Sequence, residues 1–224
     1  MAPDMTTLDI KICGLKTDEA LDAALAGGAS HVGFIFFPKS PRHIEPVEAG
    51  RLRRAALGRA KAVAVTVDAD DALLDAIVDA MTPDMLQLHG TETPARLAGV
   101  KARYGLPVMK ALSVREAADI EAARAYAGVA DRLLFDAKPP KGSELPGGNG
   151  VAFDWRLLAR TEPGLDYLLS GGLNAANIGT ALSLARPSGI DVSSGVESAP
   201  GVKDPALIAA FFRAVAAARG RDAA

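Results

Sequence analysis

Two ionisable side chains stand at the ends of short apolar runs that are typical of β-strands. Cys13 ends the run Leu8–Cys13, and Asp136 follows the run Arg132–Phe135 and opens the long connection 136–150. A thiolate can remove a proton, and a carboxyl group with a raised pKa can donate one near neutral pH. The two residues together predict acid–base chemistry, with the base and the acid on different strands.

Each of the two residues also has a simpler interpretation. A lone cysteine is more often a small buried apolar residue, and an aspartate after a strand is commonly a turn or cap residue. Lys11 lies on the same face of its strand as Cys13, and a nearby ammonium lowers the pKa of a thiol. A carboxyl group under the loop 136–150 would have a raised pKa instead. These positions favour Cys13 as a general base and Asp136 as a general acid.

Glycines follow two β-type runs in the last quarter of the chain. The stretch 170–174 (SGGLN) follows the seventh run, and 193–197 (SSGVE) follows the eighth. Tight turns that need a positive φ would explain these glycines. Glycines in both loops nevertheless favour a phosphate site, because backbone N–H groups after strands 7 and 8 bind phosphate in many β/α barrels.

Other polar residues carry weaker signals. Arg42 lies in the proline-stiffened stretch 37–43, which suits a carboxylate or a second phosphate. From the residues alone, an exposed and solvated arginine is the favoured interpretation, and His89 is expected to line the barrel as a structural residue. No metal-ligand spacing and no nucleotide-binding glycine motif is present, so we expect neither a metal nor a cofactor.

The elements that must position these residues follow one regular pattern. Eight β-type runs alternate with eight helical runs, which implies a parallel sheet, and eight units suggest a closed barrel. The 224 residues leave 28 for each unit (224/8), enough for one strand, one helix and two turns. The sequence therefore predicts an α/β fold, a single-domain (β/α)8 TIM barrel over residues 1–224.

The predicted strands are Leu8–Cys13, His31–Phe36, Ala62–Val67, Met85–Leu88, Pro107–Ala111, Arg132–Phe135, Tyr167–Ser170 and Gly189–Val192. The predicted helices are Thr17–Ala26, Pro46–Leu57, Asp70–Ala80, Pro94–Tyr104, Val114–Tyr126, Asp154–Ala159, Ala175–Leu184 and Pro205–Ala218. Alternation within a strand predicts which side chains face the barrel interior. The expected inward set is Asp9, Lys11, Cys13, Gln87, His89, Asp191 and Ser193, and the expected outward set is Leu8, Ile10, Ile12, Leu86, Leu88, Ile190 and Val192. Buried polar groups are costly unless they serve a site, so we expect the active site at the carboxyl ends of the strands.

The composition argues against several classes of protein. Lys and Arg number 25 against 27 Asp and Glu, so no basic surface for nucleic acid or an anionic membrane is expected. The single cysteine excludes an intrachain disulfide. No signal peptide and no apolar run of ~20 residues is present, so we expect a soluble, cytoplasmic protein.

Seven short motifs are spread over nearly the whole chain. They are Lys11-Ile12-Cys13-Gly14-Leu15; Gly33-Phe34-Ile35-Phe36 leading to Ser40-Pro41-Arg42; Gln87-Leu88-His89-Gly90; Leu134-Phe135-Asp136; Gly147-Gly148-Asn149-Gly150 with Phe153-Asp154-Trp155; Ser170-Gly171-Gly172-Leu173; and Asp191 to Glu197 with Gly201-Val202-Lys203-Asp204. In this order the motifs resemble those of the phosphoribosylanthranilate isomerases of tryptophan biosynthesis, and together they are highly specific.

The resemblance implies an Amadori rearrangement of N-(5-phosphoribosyl)anthranilate to 1-(2-carboxyphenylamino)-1-deoxyribulose 5-phosphate, without a cofactor. By the same resemblance, Asp136 is the general acid, Cys13 the general base, and Arg42 holds the anthranilate carboxylate. The phosphate would be held by Gly171, Gly172, Ser194 and Gly195. The connection 136–150 departs from the family pattern at Lys138-Pro139-Pro140-Lys141. A monomer and a homodimer are both compatible with the sequence.

Three alternatives stay open. A related phosphate-binding barrel enzyme, such as an epimerase or a Schiff-base lyase, would need other groups, and Lys110 is the one candidate for the lyase lysine. A catalytically silent barrel is disfavoured because both the acid and the base are present. A second isomerisation of the type found in histidine synthesis is also disfavoured, because no second phosphate loop follows strands 3 and 4. We therefore predict one activity.

Overall fold

Eight parallel strands form a closed barrel in chain order in the computed structural model, which describes residues 8–138, 147, 148, 150, 152–161 and 165–222. The strands are β1 Asp9–Cys13, β2 His31–Phe36, β3 Lys61–Thr66, β4 Met85–Leu88, β5 Val108–Val114, β6 Arg132–Ala137, β7 Tyr167–Leu169 and β8 Gly189–Val192. The α-helices are α1 Asp18–Gly27, α2 Pro46–Ala56, α3 Asp71–Met81, α4 Pro94–Tyr104, α5 Ala117–Ala122, α6 Ile178–Ala185 and α7 Pro205–Asp222. Short 3₁₀ turns cover Ala123–Tyr126, Trp155–Arg160 and Ser194–Val196. The predicted (β/α)8 barrel is thus confirmed.

Local sequence signals set the ends of several helices. The side chains of Thr17, Asp70 and Thr93 accept hydrogen bonds from the backbone N–H groups three residues later, which caps α1, α3 and α4. Gly28 and Gly105 end α1 and α4 with φ values of 89° and 64°, a conformation that glycine adopts without strain. These helix starts differ from the predicted ones by no more than one residue.

Several elements differ from the sequence prediction. The predicted helix Asp154–Ala159 is the 3₁₀ turn Trp155–Arg160, and α6 begins at Ile178 rather than at the predicted Ala175. Two further differences are larger. The predicted helix Val114–Tyr126 begins later, because Val114 continues β5 and pairs with Ala137 of β6. The remaining segment forms the six-residue α5 and a 3₁₀ turn. An antiparallel hairpin, β9 Glu197–Ala199 and β10 Val202–Lys203, follows β8 and was not predicted, because its strands are too short for an alternating pattern.

The apolar core has two layers, as the strand alternation predicts. An inner cluster fills the barrel, and it consists of Cys13, Val63, Val65, Met85, Met109, Ala111, Leu134 and Leu168. An outer cluster lies between strands and helices and includes the predicted outward residues Ile12, Leu86, Leu88, Ile190 and Val192. The outer layer packs the strands against the helices, and the strand pairing sets the register that places the side chains at their carboxyl ends.

The amino-terminal end of the barrel is held by charged groups. Arg132 donates to Asp9 at 2.6 Å and to Asp166 at 2.8 Å. Asp9, which was expected to contribute to the polar set near the active site, therefore lies at the opposite end, because it opens β1 while Cys13 ends it. In the part of the chain that the structure describes, no helix is both long and apolar enough to cross a membrane.

Candidate active site

A pocket that is partly open to solvent lies at the carboxyl ends of the barrel strands, where β/α barrels bind their ligands. Its walls come from the ends of β1, β2, β3, β6 and β8 and from the loops after β2, β3, β4, β6, β7 and β8. The predicted site residues among its lining are Cys13, Arg42, Asp136, Gly171, Gly172 and Ser194.

Cys13 lies at the base of this pocket beside a buried ion pair. Lys11, two residues earlier on β1, donates to Asp191 of β8 at 2.8 Å, and both side chains are almost fully buried. Gly33 of β2 pairs with Cys13 and leaves room for both groups, because a Cβ there would lie 2.9 Å from the thiol Sγ and 3.0 Å from Lys11 Nζ. The thiol and the ammonium therefore share one space above the barrel core.

The pKa of the Cys13 thiol is raised, which corrects the sequence expectation of a lowered value. Burial is the largest cause, and the Asp191 carboxylate adds to it. The Lys11 ammonium acts in the opposite direction but is already paired with Asp191, so its charge offsets only part of the increase. Cys13 is therefore a thiol at neutral pH that has a cation beside it when it ionises.

The Asp136 carboxyl group is held between two glycines. Its Oδ1 accepts a hydrogen bond from the Ala137 N–H at 2.9 Å. A Cβ on Gly147 would overlap Oδ2, and a Cβ on Gly171 would lie 3.0 Å from Oδ1 and 2.5 Å from the Ala137 nitrogen. Only glycines leave space for this carboxyl group, so both positions have a steric reason for their residue type.

His89 stands beside the predicted acid. Its Nε2 lies 3.3 Å from Oδ2 of Asp136, without the angles of a hydrogen bond, and its Nδ1 lies 3.0 Å from Nε2 of Gln87. Gln87 and His89 both face inward as predicted, and His89 lines the pocket. His89 is thus closer to the candidate acid than its expected role as a structural lining residue suggested.

The two glycine loops lie side by side between the ends of β7 and β8. Gly171 and Gly172 have φ values of 88° and 62°, so the simpler explanation of these glycines as turn residues also holds. In the described part of the chain, the N–H groups of Gly172 and Ser194 have no hydrogen-bond partner, which leaves them available to an anion. Gly195 does not line the pocket, and a Cβ there would overlap the Leu173 carbonyl oxygen. Gly195 therefore joins the two loops through close packing.

Arg42 is buried, so the residue-only expectation of a solvated arginine is wrong. Its Nε and Nη2 donate to the two carboxylate oxygens of Glu197 at 2.8 and 2.9 Å, and Nη2 also donates to the Gly148 carbonyl at 3.1 Å. The Arg42 side chain crosses Gly14, where a Cβ would lie 2.9 Å from its Cδ. Arg42 reaches the pocket wall from the loop after β2.

Lys110, the candidate Schiff-base lysine, lies outside the pocket. Its neighbours Met109 and Ala111 belong to the inner cluster, so Lys110 points toward the helices. Its Nζ donates to Glu92 at 2.8 Å and to the Gly90 carbonyl at 2.7 Å. A lysine in this position cannot reach a substrate in the pocket.

Sequence reasoning missed the partners of Arg42. Glu197 and Lys203 were quoted only as parts of longer motifs, and both side chains are 3% exposed in a charge cluster with Arg42. The available signal was the pair of opposite charges on either side of the Pro200-Gly201 turn. Among the described residues, no three His, Cys, Asp or Glu side chains gather as metal ligands would.

Comparisons with known proteins agree on one family. Residues 10–214 match the family described as N-(5'phosphoribosyl)anthranilate (PRA) isomerase. The chain is 76% identical over 217 residues to the N-(5'-phosphoribosyl)anthranilate isomerase of Mesorhizobium japonicum, covering 97% of this chain and 99% of that protein.

Two solved structures have the same fold over most of the chain. Monomers of the dimeric phosphoribosylanthranilate isomerase from Thermotoga maritima are 32% identical with a TM-score of 0.81, over 96% of this chain and 100% of that one. A phosphoribosylanthranilate isomerase in complex with reduced 1-(o-carboxyphenylamino)-1-deoxyribulose 5-phosphate is 31% identical with a TM-score of 0.82, over the same shares. With these matches, the chain belongs to the N-(5'-phosphoribosyl)anthranilate isomerase family.

Proposed function

We propose that this chain isomerises N-(5'-phosphoribosyl)anthranilate to 1-(2-carboxyphenylamino)-1-deoxyribulose 5-phosphate in tryptophan biosynthesis, with Asp136 as general acid and Cys13 as general base. One observation carries the assignment of roles. Cys13 on β1 and Asp136 on β6 face a single pocket, and β7 and β8 with the two glycine loops lie between them. A phosphate anchored at these loops would place the sugar between the acid and the base.

The first step opens the ribose ring. Asp136 gives its proton to the ring oxygen, the bond from C1 to that oxygen breaks, and the anilino nitrogen lone pair forms the C=N bond of a protonated Schiff base. The carboxyl group is suited to this step because it is buried at the pocket wall and its Oδ2 faces away from the Ala137 N–H. The open chain remains attached through its phosphate.

The second step moves the double bond. Cys13 first loses its thiol proton to water in the solvent-accessible pocket. The thiolate then takes the C2 proton, the C2–H electrons form the C1=C2 bond, and the C=N electrons return to nitrogen, which gives an enolamine. Loss of the C2 hydroxyl proton and protonation of C1 then give the ketone. Lys11 Nζ stabilises the thiolate electrostatically, because both groups border the space left by Gly33. Proton transfers alone move the carbonyl group, so the proposed reaction needs no cofactor.

The substrate has two anionic ends, and the pocket has a group for each. The phosphate is assigned to the N–H groups of the loops that contain Gly171, Gly172, Ser194 and Gly195, with Gly195 acting through loop packing. The carboxylate on the aromatic ring is assigned to Arg42, which lines the same pocket. A small phosphosugar is therefore the proposed partner, rather than nucleic acid or a membrane.

The remaining parts of the proposal concern the whole chain. We place residues 1–224 in one domain that works in the cytoplasm as a monomer or homodimer. The continuous strand order of the barrel supports one domain, and a dimeric relative supports the homodimer.

The test is turnover by the purified chain. Freshly prepared N-(5'-phosphoribosyl)anthranilate should lose its fluorescence on addition of catalytic amounts of protein, and the ketone product should be identified by NMR. Ribulose 5-phosphate epimerisation and aldol cleavage should proceed no faster than without protein. Binding of the phosphosugar without turnover would support the silent-barrel alternative instead.

A further inference from the structure

Glu197 holds the Arg42 guanidinium at two points. Arg42 Nε and Nη2 donate to Oε1 and Oε2 at 2.8 and 2.9 Å, and the two side chains are 5% and 3% exposed. A planar guanidinium bound by both carboxylate oxygens has a fixed plane and direction. Glu197 therefore decides which edge of Arg42 faces the pocket.

The part of the Arg42 guanidinium that remains free to bind a ligand is a single amino group, Nη1. Nη2 uses its second hydrogen on the Gly148 carbonyl at 3.1 Å. Nη1 has no hydrogen-bond partner in the described ranges of the chain, and a Cβ on Gly148 would lie 2.5 Å from it. Arg42 thus offers one donor group at the pocket wall, which fits one oxygen of a planar ring carboxylate.

Lys203 connects the Arg42–Glu197 pair to the loop after β8. Its Nζ donates to Glu197 Oε1 at 2.6 Å and to the Ser193 carbonyl at 3.0 Å. Ser193 in turn donates through Oγ to the Cys13 carbonyl at 3.1 Å. A continuous set of contacts therefore connects Arg42 with the loop after β8 and with the strand that carries the base.

The charges of the cluster leave one positive charge for a ligand. Arg42 and Lys203 are cationic, and Glu197 supplies a single negative charge. Burial opposes ionisation of Glu197, but hydrogen bonds and charges from Arg42 and Lys203 outweigh it and hold the pKa of its carboxyl below the usual value. The net charge of the three groups suits an anionic substrate end.

We propose that Glu197 is a positioning residue that sets the carboxylate specificity of the site, by holding Arg42 so that Nη1 meets the carboxylate of the substrate ring. The inference rests on the proposed function, and it goes beyond it by assigning specificity to a residue that does not touch the substrate. A buried ion pair that only supports the fold would show the same contacts, so the test must separate positioning from stability.

The experiment compares two substrates that differ only in the carboxylate. N-(5'-phosphoribosyl)anthranilate and N-(5'-phosphoribosyl)aniline are supplied to wild type, Glu197→Gln and Arg42→Met, and kcat and KM are measured by chromatography of the products. A hydrogen bond to a charged group implies that wild type prefers the carboxylated substrate by ~10- to 100-fold in kcat/KM. Glu197→Gln should lower this preference at least ~5-fold, mainly through KM, and Arg42→Met should remove it.

Glu92→Gln is the matched control. Glu92 is a 3% exposed carboxylate paired with a lysine, Lys110, at 2.8 Å, but it does not contact Arg42. This variant should lose stability and keep the wild-type substrate preference. If Glu197→Gln does not fold, Glu197→Asp replaces it, because the shorter side chain keeps the charge but cannot hold both Arg42 nitrogens.

The experiment has three informative outcomes. Equal losses with both substrates, in whichever Glu197 variant folds, would leave the preference unchanged and overturn the inference while the proposed function stands. A wild-type protein that turns over neither substrate would refute the proposed function itself. A preference that falls in the Glu197 variant and persists in Glu92→Gln supports the positioning role.

Discussion

Lys11 Nζ lies 2.8 Å from Asp191 Oδ1 inside the barrel, where β1 and β8 meet, and it borders the same space beside Gly33 as the Cys13 thiol. A buried charge is tolerated when a partner compensates it, and Asp191 keeps the pKa of Lys11 above its usual value despite burial. The ammonium is therefore present at any pH at which the protein works. The thiol gains a permanent cationic neighbour whose charge is largely neutralised.

This arrangement predicts how thiol reactivity depends on Lys11. Cys13 is the single cysteine, so the rate at which iodoacetamide labels the Cys13 peptide, followed by mass spectrometry against pH, reports one thiol. In wild type the midpoint should lie above the ordinary thiol value of ~8.5, because the pKa is raised. Lys11→Met should move it higher and lower kcat/KM at least ~10-fold, since Asp191 is left uncompensated beside the thiol.

The double variant Lys11→Met/Asp191→Asn is the control for that experiment. It removes both charges, so it should be more stable than Lys11→Met and should bring the labelling midpoint partly back down. An unchanged or lower midpoint in Lys11→Met would mean that the ammonium does not stabilise the thiolate.

Gly33 gives a prediction about the space that the two groups share. A methyl group at this position would lie 2.9 Å from Sγ and 3.0 Å from Lys11 Nζ, so Gly33→Ala must displace one of them. We expect a loss of ~10-fold or more in kcat, since a misplaced catalytic group can cost up to ~100-fold. Stopped-flow or steady-state fluorescence measures this change.

Gly99→Ala is the matched glycine control. Gly99 lies within α4 with nothing near the position of an added Cβ, so the methyl group should stabilise the protein by up to ~1 kcal/mol and leave kcat unchanged. Full activity in Gly33→Ala would show that the close approach of thiol and ammonium is unimportant.

Lys110 should prove structural. Lys110→Met leaves Glu92 charged, buried and without its cation, a change that typically costs ~3–5 kcal/mol of unfolding free energy. Borohydride should trap no Schiff base with any sugar phosphate. The pair variant Lys110→Met/Glu92→Gln should recover part of the stability in urea unfolding. Borohydride-dependent labelling of Lys110 would instead revive the lyase alternative.

His31 predicts an acid-sensitive stability. Burial lowers the pKa of His31 to about 4, and Arg132, Lys61 and Lys11 add to the effect against the opposing charge of Asp9. In the unfolded chain, His31 has the ordinary pKa of ~6.5. Between that pH and about 4, His31 therefore binds a proton in the unfolded chain but not in the folded protein. The contribution of neutral His31 to the free energy of unfolding should be fully present above pH ~6.5. It should fall by about 3 kcal/mol as the pH approaches 4.

The measurement for His31 is urea unfolding between pH 7.5 and 4.5. His31→Gln cannot take up this proton, so its unfolding free energy should decline less steeply than that of wild type over the same range. Parallel curves for the two proteins would assign the acid sensitivity to other groups.

Local patterns predicted the barrel well. The strands His31–Phe36, Met85–Leu88 and Gly189–Val192 have the predicted bounds, because their ends coincide with changes from apolar to turn-forming residues. The inward and outward faces of β4 and β8 also follow directly from alternation. The fifth helix was less predictable, because Val114 can continue either a strand or a helix and its ladder partner Ala137 decides the outcome.

Long-range partners explain what local patterns could not predict. Arg42 is buried because Glu197, 155 residues later, accepts from it. The raised pKa of Cys13 follows from burial and from Asp191, which pairs with Lys11 from 180 residues away when the barrel closes. Neither relationship can be predicted from the spacing of residues that are close in the sequence. Both depend on contacts that form only when the barrel closes.

The most direct test of the account compares wild type with Cys13→Ala and Asp136→Asn in the fluorescence assay of N-(5'-phosphoribosyl)anthranilate, with folding checked by circular dichroism. Asp136→Asn keeps the shape of the acid but cannot donate its proton, and Cys13→Ala has no base. The account predicts rapid turnover by wild type and a loss of at least ~10²-fold in kcat in each folded variant. Turnover within a few-fold of wild type in either variant would contradict the assignment of that residue.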